Sequence, residues 1–540
     1  MNRDLKTLAS FQFDLVVVGG GIVGACVAWD AALRGLSVAL VEKGDFASGT
    51  SSNSLKIVHG GLRYLQHLDF RRVRMSIRER STWLRIAPHL VEPLPVLVPT
   101  FGNGLESRGL LRAALACNDL ISLDRNKTLP PERRIPPSRV LSRQECLDLV
   151  PELESPSLTG GALFYDAQMY SAERLVLEVI QAASDAGANV ANYVELEAAC
   201  IVSGRLTGAQ VRDVLTGQRF DIRSRVVANT AGPWAPGIAK RMVGRAGAAA
   251  TSYSVAMNFL VPDTGPRVAF AIAGSGSDRT ALVSRGKRHL FVVPWRGHSL
   301  IGTAHYSYSG SPESFKIDER RIYSFLDEVN AAWRTRSFTR EDVALVHSGL
   351  LPMESASTDP GVKLLKQHRI IDHSREGMPG LISALSVKFT TARRVAQELV
   401  DLAFRTLDHS PPACHTTFTP LPGAGLRSVD ELNHTARGRW SDAVEPDVLE
   451  HLVRTYGSQY EKVLALRSSV RRWNERILQS APVIRAQLVY AVQEEMAERA
   501  EDLVCRRTEL GARGLLSEMV LQTASEVLAA ERRASRSPML

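Results

Sequence analysis

The chain has 540 residues, 44% of them hydrophobic and 23% charged, which is too long for one core and has the balance of an ordinary folded protein. Lysine and arginine number 66 against 57 aspartates and glutamates, a net of +9; the excess suits an anionic substrate, an anionic membrane surface or a plain solvated surface, and without a basic stripe interleaved with aromatics it gives no support to nucleic-acid binding. Six cysteines (Cys26, Cys117, Cys146, Cys200, Cys414 and Cys505) form no CxxC and lack histidines at ligand spacing, the N-terminus has no apolar signal core, and the uncharged, glycine-rich stretch 15–29 is too short to span a bilayer, so a metal-free, disulfide-free chain of a reducing compartment is expected.

The segment "FDLVVVGGGIVGACVAWDAALRGLSVALVEKGD" (13–45) opens the chain's organised part. An apolar run, 13–18, predicts a buried parallel strand, 23–33 a helix ended by Gly35, and 38–41 a second strand: a βαβ unit. Gly19, Gly21 and Gly24 form GxGxxG between the first strand and the helix. Gly19 permits the tight turn, Gly21 lets the backbone approach a pyrophosphate at the helix N-terminus, and Gly24 lets helix and strand pack closely. Glu42 ends the second strand, where an acidic residue accepts hydrogen bonds from a ribose. Dinucleotide binding is the expectation.

Farther along, 189–229 and 251–305 have short β-runs broken by turn residues, predicting an antiparallel sheet inserted into the nucleotide-binding fold. Residues 379–404 return to strand, turn and long helix. The stretch "DHSPPACHTTFTPLPGAG" (408–425) reads as a linker, and a charged helical region follows.

After Glu42 come "VEKGDFASGTSS", "HGGLRYLQ" (59–66), "NTAGPW" (229–234), "LFVVPW" (290–295), "SLIGT" (299–303), "KFTTARR" (388–394) and, in the tail, "EDLVCRRTELG" (501–511). In these stretches the sequence resembles the FAD-dependent, quinone-linked glycerol-3-phosphate dehydrogenases, within the FAD oxidoreductases that include D-amino-acid oxidase. The resemblance implies an α/β plus β fold. A Rossmann-like FAD-binding domain (about 12–90, 160–240 and 345–407) would hold an inserted antiparallel substrate domain (about 91–159 and 241–344). An α-helical C-terminal domain (426–535) would follow the linker.

The resemblance also implies FAD, with Gly19, Gly21, Gly24, Glu42, Lys43, Thr50, Ser51, Ser52, Gly60, Gly61, Ala231, Gly232, Lys388 and Thr390 around it. Thr50, Ser51 and Ser52 would give donors to the pyrophosphate, and Gly60 and Gly61 would let the backbone lie against the isoalloxazine ring. Lys388 and the helix start at Thr390 would stabilise reduced flavin. Arg63 would be a forked donor to a phosphate, Tyr64 and Lys388 would polarise the substrate, and His59 would take the hydroxyl proton while hydride passes to flavin N5. The implied reaction is oxidation of sn-glycerol 3-phosphate to dihydroxyacetone phosphate, with electrons passed to a quinone or another acceptor. A cytoplasmic chain, peripheral on the membrane or not, is expected, and a homodimer is left open.

Several positions depart from the family's pattern. Leu351 stands where an arginine is expected, Asn258 for a histidine, Ala304 and His305 for threonine and aspartate, and Ser386 and Val387 for two glycines. His305, His347 or Arg393 are candidates to restore the lost cation. A changed hydroxy or amino substrate, or a non-catalytic FAD-stabilised subunit, are the alternatives. Residues 108–123 carry leucines at helical spacing with Arg108 and Arg112 but lack aromatics for an interfacial belt.

Overall fold

Strand Gln12–Val18 is buried from Leu15 onward, as a strand covered by helices must be. In the computed structural model it pairs in parallel with Val38–Val41 on one side and Arg219–Asn229 on the other. Asn189–Ala191 and Leu381–Leu385 extend this parallel sheet, and Arg369–Asp372 closes one edge antiparallel. Helices Ile22–Leu33, Ala172–Asp185 and Ala392–Thr406 share a core with one face. The antiparallel strands Val194–Val202 and Arg205–Asp213 lead off Arg219–Asn229. The structure describes residues 1–101, 108–244, 252–277, 287–333, 335–353, 364–425, 428–468 and 472–536.

A second, mostly antiparallel sheet runs in the order Leu345–Pro352, Tyr253–Pro262, His298–Tyr308, Lys287–Trp295, Ala269–Ser277, Val91–Phe101, Leu158–Met169 and Ile57–Val58. Three of these strands, 57–58, 158–169 and 345–352, come from segments that the sequence groups with the FAD-binding part. They are the places where the two sheets meet: Thr50 Oγ1 donates to Leu350 O at 3.2 Å, and Met169 N to Lys56 O at 2.8 Å. Functional loops of the first sheet therefore end directly on the second.

The C-terminal helices, among them Val429–Trp440, Pro446–Tyr456, Arg485–Glu494 and Glu518–Arg536, build two further apolar cores. Ion pairs, most of them buried, tie them to the two sheets' segments. Asp45, fully buried, accepts from Arg507 Nη1 at 2.8 Å and Nη2 at 2.9 Å, and also pairs with Arg506. Glu92 accepts from Arg454 at 2.7 Å, and Arg174 pairs with Glu495. The 408–425 stretch, expected as a linker, is strapped down rather than free. Arg34 Nη1 donates to Pro412 O at 3.2 Å, Arg85 Nε to Thr417 O at 3.1 Å and Leu421 N to Ile86 O at 2.9 Å, with Thr416 and Leu421 buried.

Candidate active site

The glycine turn is as tight as its residues require. Gly19 has φ +107°, and a Cβ there would sit 2.8 Å from Ala231 Cα. A Cβ on Gly24 would sit 1.9 Å from Gly19 O, so helix Ile22–Leu33 crosses the strand end only without one. Gly21 caps that helix, and Ile22 N donates to Ser51 Oγ at 3.0 Å. Glu42 is half-buried and accepts from Gly20 N at 2.7 Å and Gly44 N at 2.9 Å. Burial raises its pKa while these two donors oppose the rise, and each carboxylate oxygen keeps lone-pair capacity for a ribose hydroxyl. Lys43 Nζ lies 4.1 Å from the Trp234 ring centre. Gly232 begins the turn Gly232–Trp234 with φ +54°.

The hydroxyls after Glu42 have local partners. Thr50 donates to Leu350 O and Ser52 Oγ to Gly49 O at 3.0 Å. These two side chains hold the loop, and the first-turn N–H groups behind Gly21, other than that of Ile22, would be the donors to a pyrophosphate. Thr390 Oγ1 accepts from His59 N at 3.2 Å, and Thr390 O from Trp83 Nε1 at 3.0 Å. The residues present fit FAD: a crowded glycine turn, an acidic strand end, and two helices, Ile22–Leu33 and Ala392–Thr406, that begin without a side-chain cap.

The glycines of the HGGLRY run are demanded by packing as well. A Cβ on Gly60 would meet Arg80 Nη1 at 2.4 Å, and one on Gly61, at φ +82°, Tyr64 Cδ2 at 2.9 Å. Gly60 N donates to Asp166 Oδ1, which also accepts from Arg80 at 3.2 Å. Helix Phe70–Ile86 thus locks the run in place, a reason for glycine in addition to the expected approach to the flavin.

Three side chains converge on the Tyr64 ring. The His59 ring centre is 5.8 Å away, edge-on. Lys388 Nζ is 4.1 Å and Arg72 Cζ 4.0 Å from the ring centre. Burial, then Arg72, pull Lys388 down to about 7, against the pull of Asp69. Burial, then Lys388, Arg80 and Arg72, push His59 down to about 3, so the imidazole is neutral. Arg63 shares the turn Leu62–His67 with Tyr64, but its side chain lies outside the described residues. Arg72 was not singled out by sequence, because it sits in the run "RRVRMSIRER" (71–80) among four other arginines that the sequence does not distinguish from it.

Two of the three suggested replacement cations do not offer a free charge. Arg393 donates to Glu79 at 2.9 and 2.5 Å and to Thr416 Oγ1 at 3.1 Å, all buried. His347 is buried beside Lys56 and lowered to about 3, chiefly by desolvation, so it carries no charge. His305 Nδ1 lies 3.1 Å from Ser254 Oγ. Asn258, buried, accepts from Thr303 Oγ1 at 2.7 Å, and Leu351 is the partner of Ser254 in the sheet. Ser386 and Val387 lie in the irregular stretch between strand Leu381–Leu385 and helix Ala392–Thr406.

Residues 14–402 match the family "FAD dependent oxidoreductase", and residues 414–537 match the "C-terminal domain of alpha-glycerophosphate oxidase". The glycerol-3-phosphate dehydrogenase of Synechocystis sp. is 36% identical over 94% of this chain and 90% of its own length. Glycerol-3-phosphate dehydrogenase 2 of Mycobacterium tuberculosis is 33% identical over 94% of this chain and 82% of its own. The glycerol-3-phosphate dehydrogenase of Bacillus halodurans, solved with FAD, superposes with a TM-score of 0.72 at 24% identity, over 99% of this chain and 97% of that one, a likeness of fold.

Proposed function

The chain belongs to the FAD-dependent oxidoreductases and carries the C-terminal domain of alpha-glycerophosphate oxidase, and from that premise we propose that it oxidises sn-glycerol 3-phosphate to dihydroxyacetone phosphate. The observation that carries the reading is the cation pair on Tyr64: Lys388 and Arg72 flank one ring, and the Asp69 carboxylate offsets their repulsion only in part. Such a site favours a dianion such as a phosphate monoester. Bound FAD supplies the two-electron acceptor for hydride from the substrate's C2.

The chain's own residues do the rest. Lys388, protonated, and Arg63 hold the phosphate. Tyr64 and the aromatic edge of His59 orient the glycerol carbons. His59, neutral, has the protonation state needed to accept the C2 hydroxyl proton. A quinone is the electron acceptor we favour, reached at a membrane surface. Leu68 and Phe70 are 56% and 48% exposed at the end of the turn that carries Tyr64, and Leu120 and Leu123 are 67% and 76% exposed. Arg74 Nη1 donates to Ile121 O at 2.8 Å, which ties the segments that carry these apolar groups to each other, and a basic, apolar surface of this kind suits a membrane face. Among the described residues no helix is long and apolar enough to cross a membrane.

A second reading, a different hydroxy or amino substrate, draws on Leu351 and Asn258, neutral side chains where the family's pattern has an arginine and a histidine. Anaerobic addition of sn-glycerol 3-phosphate decides between the two. Bleaching of the flavin at modest substrate is the expected result. An unchanged oxidised spectrum from protein that dithionite still reduces refutes the glycerol-phosphate reading.

A further inference from the structure

We infer that Arg72, on helix Phe70–Ile86, is a substrate-binding residue that grips the phosphate together with Lys388. The inference rests on the reading of a phosphorylated substrate and adds the cation that the strand Leu345–Pro352 does not provide.

Arg72 is buried, 8% exposed. Other buried arginines of this chain have close partners. Arg80 donates to Tyr165 O and Asp166, Arg393 to Glu79 and Thr416, Arg507 to Asp45 and Glu495 O. The guanidinium of Arg72 makes no hydrogen bond among the described residues, and its Nε is buried without a partner. Its one carboxylate, Asp69, stays 3.6 Å away and is occupied as the helix cap, accepting from Arg72 N at 3.1 Å. A buried guanidinium is costly unless its fork is filled, and a stack on one tyrosine is the weaker compensation.

The position of this unfilled fork makes it a binding group. Arg72 and Lys388 lie 4.0 and 4.1 Å from the centre of the same Tyr64 ring. They repel each other, and Arg72 also acts on His59. An anion between them would remove the repulsion and fill the fork. A planar guanidinium donates two parallel N–H groups to two phosphate oxygens, which an ammonium cannot do.

The test uses the FAD-loaded enzyme and the variants Arg72→Met and Arg72→Lys. Inorganic phosphate is titrated calorimetrically, and flavin reduction by sn-glycerol 3-phosphate is followed anaerobically. In Arg72→Met, phosphate affinity falls and KM rises by about a hundredfold, with kcat changed far less. Arg72→Lys keeps the charge without the fork and recovers part of both. A structural role would instead lower FAD content or melting temperature and leave phosphate affinity of the folded fraction unchanged. Phosphate affinity and KM that stay within about threefold in Arg72→Met overturn the inference, as does wild-type enzyme that binds no phosphate. If Arg72→Met loses its FAD, an unchanged KM in Arg72→Lys overturns it. If wild-type flavin is not reduced by sn-glycerol 3-phosphate, the functional reading fails, and the phosphate titration alone still decides the role of Arg72.

Discussion

The pH dependence of kcat/KM is set by Lys388. Burial and Arg72 bring its ammonium down to about 7, so it is charged below that pH and neutral above it. Substrate capture needs the charge. In the free enzyme kcat/KM is therefore expected to fall about tenfold per unit as pH rises past about 7. On the acid side the substrate's own phosphate takes a proton near pH ~6 and weakens binding, leaving a narrow maximum between. His59, at about 3, adds no limb in this range. Once the dianion is bound it offsets the repulsion from Arg72, so the pKa of Lys388 rises and kcat holds level to higher pH. Lys388→Arg keeps a charge at every working pH, so the basic limb disappears even as the overall rate drops. Anaerobic stopped-flow reduction of the flavin across about pH 5.5 to 9 measures both parameters. A wild-type kcat/KM that stays level between about pH 7 and 9, or a basic limb that survives in Lys388→Arg, refutes the reasoning.

Asp45→Ala strips the carboxylate from Arg507, which is 2% exposed. The expected loss is about 3 kcal/mol, the low end for a broken buried pair, because Arg507 still donates to Glu495 O at 2.8 Å; calorimetry that finds the wild-type transition unchanged counts against it. Gly24→Ala places a Cβ 1.9 Å from Gly19 O and forces the helix off the strand, at about 3 kcal/mol; purified protein is expected to lack flavin absorbance, and normal FAD content would show the turn to be looser than described. Phe70→Ser combined with Leu120→Ser removes two exposed apolar side chains and is expected to lower co-sedimentation with anionic vesicles at least tenfold, at about 1.5 kcal/mol or more per side chain buried; unchanged partition rejects this surface as the docking face.

The βαβ opening is legible because its information is local: Gly19, Gly21 and Gly24 between two apolar runs leave few other structures possible. Strand Val91–Phe101 is less legible, since Pro93, Pro95 and Pro99 argue against a strand at all. Their spacing resolves the conflict. Prolines at alternate positions put their missing donors on one edge, so the other edge pairs with Leu158–Met169 along its whole length. The strand Ala269–Ser277 meets it only at Val96 and Leu97. Strand Ile57–Val58 has two residues, too short for any periodicity to reveal.

Charge partners are the least legible part, and Arg72 shows why. Nothing in "DFRRVRMSIRER" (69–80) separates Arg72 from Arg71, Arg74 or Arg78. Helical spacing alone decides which of them turns inward: Val73, Ser76, Ile77 and Arg80 form the buried face, and Arg72 lies at its margin, four residues before Ser76. Which aromatic it meets there depends on the left-handed Gly61, because that residue starts the turn that brings Tyr64 back over the helix. A substrate cation recruited in this way needs no change in the strands of the second sheet. Loss of a basic residue on one wall of the site and gain of one on another can thus leave the same anion bound, which is why Leu351 by itself does not argue for a different substrate.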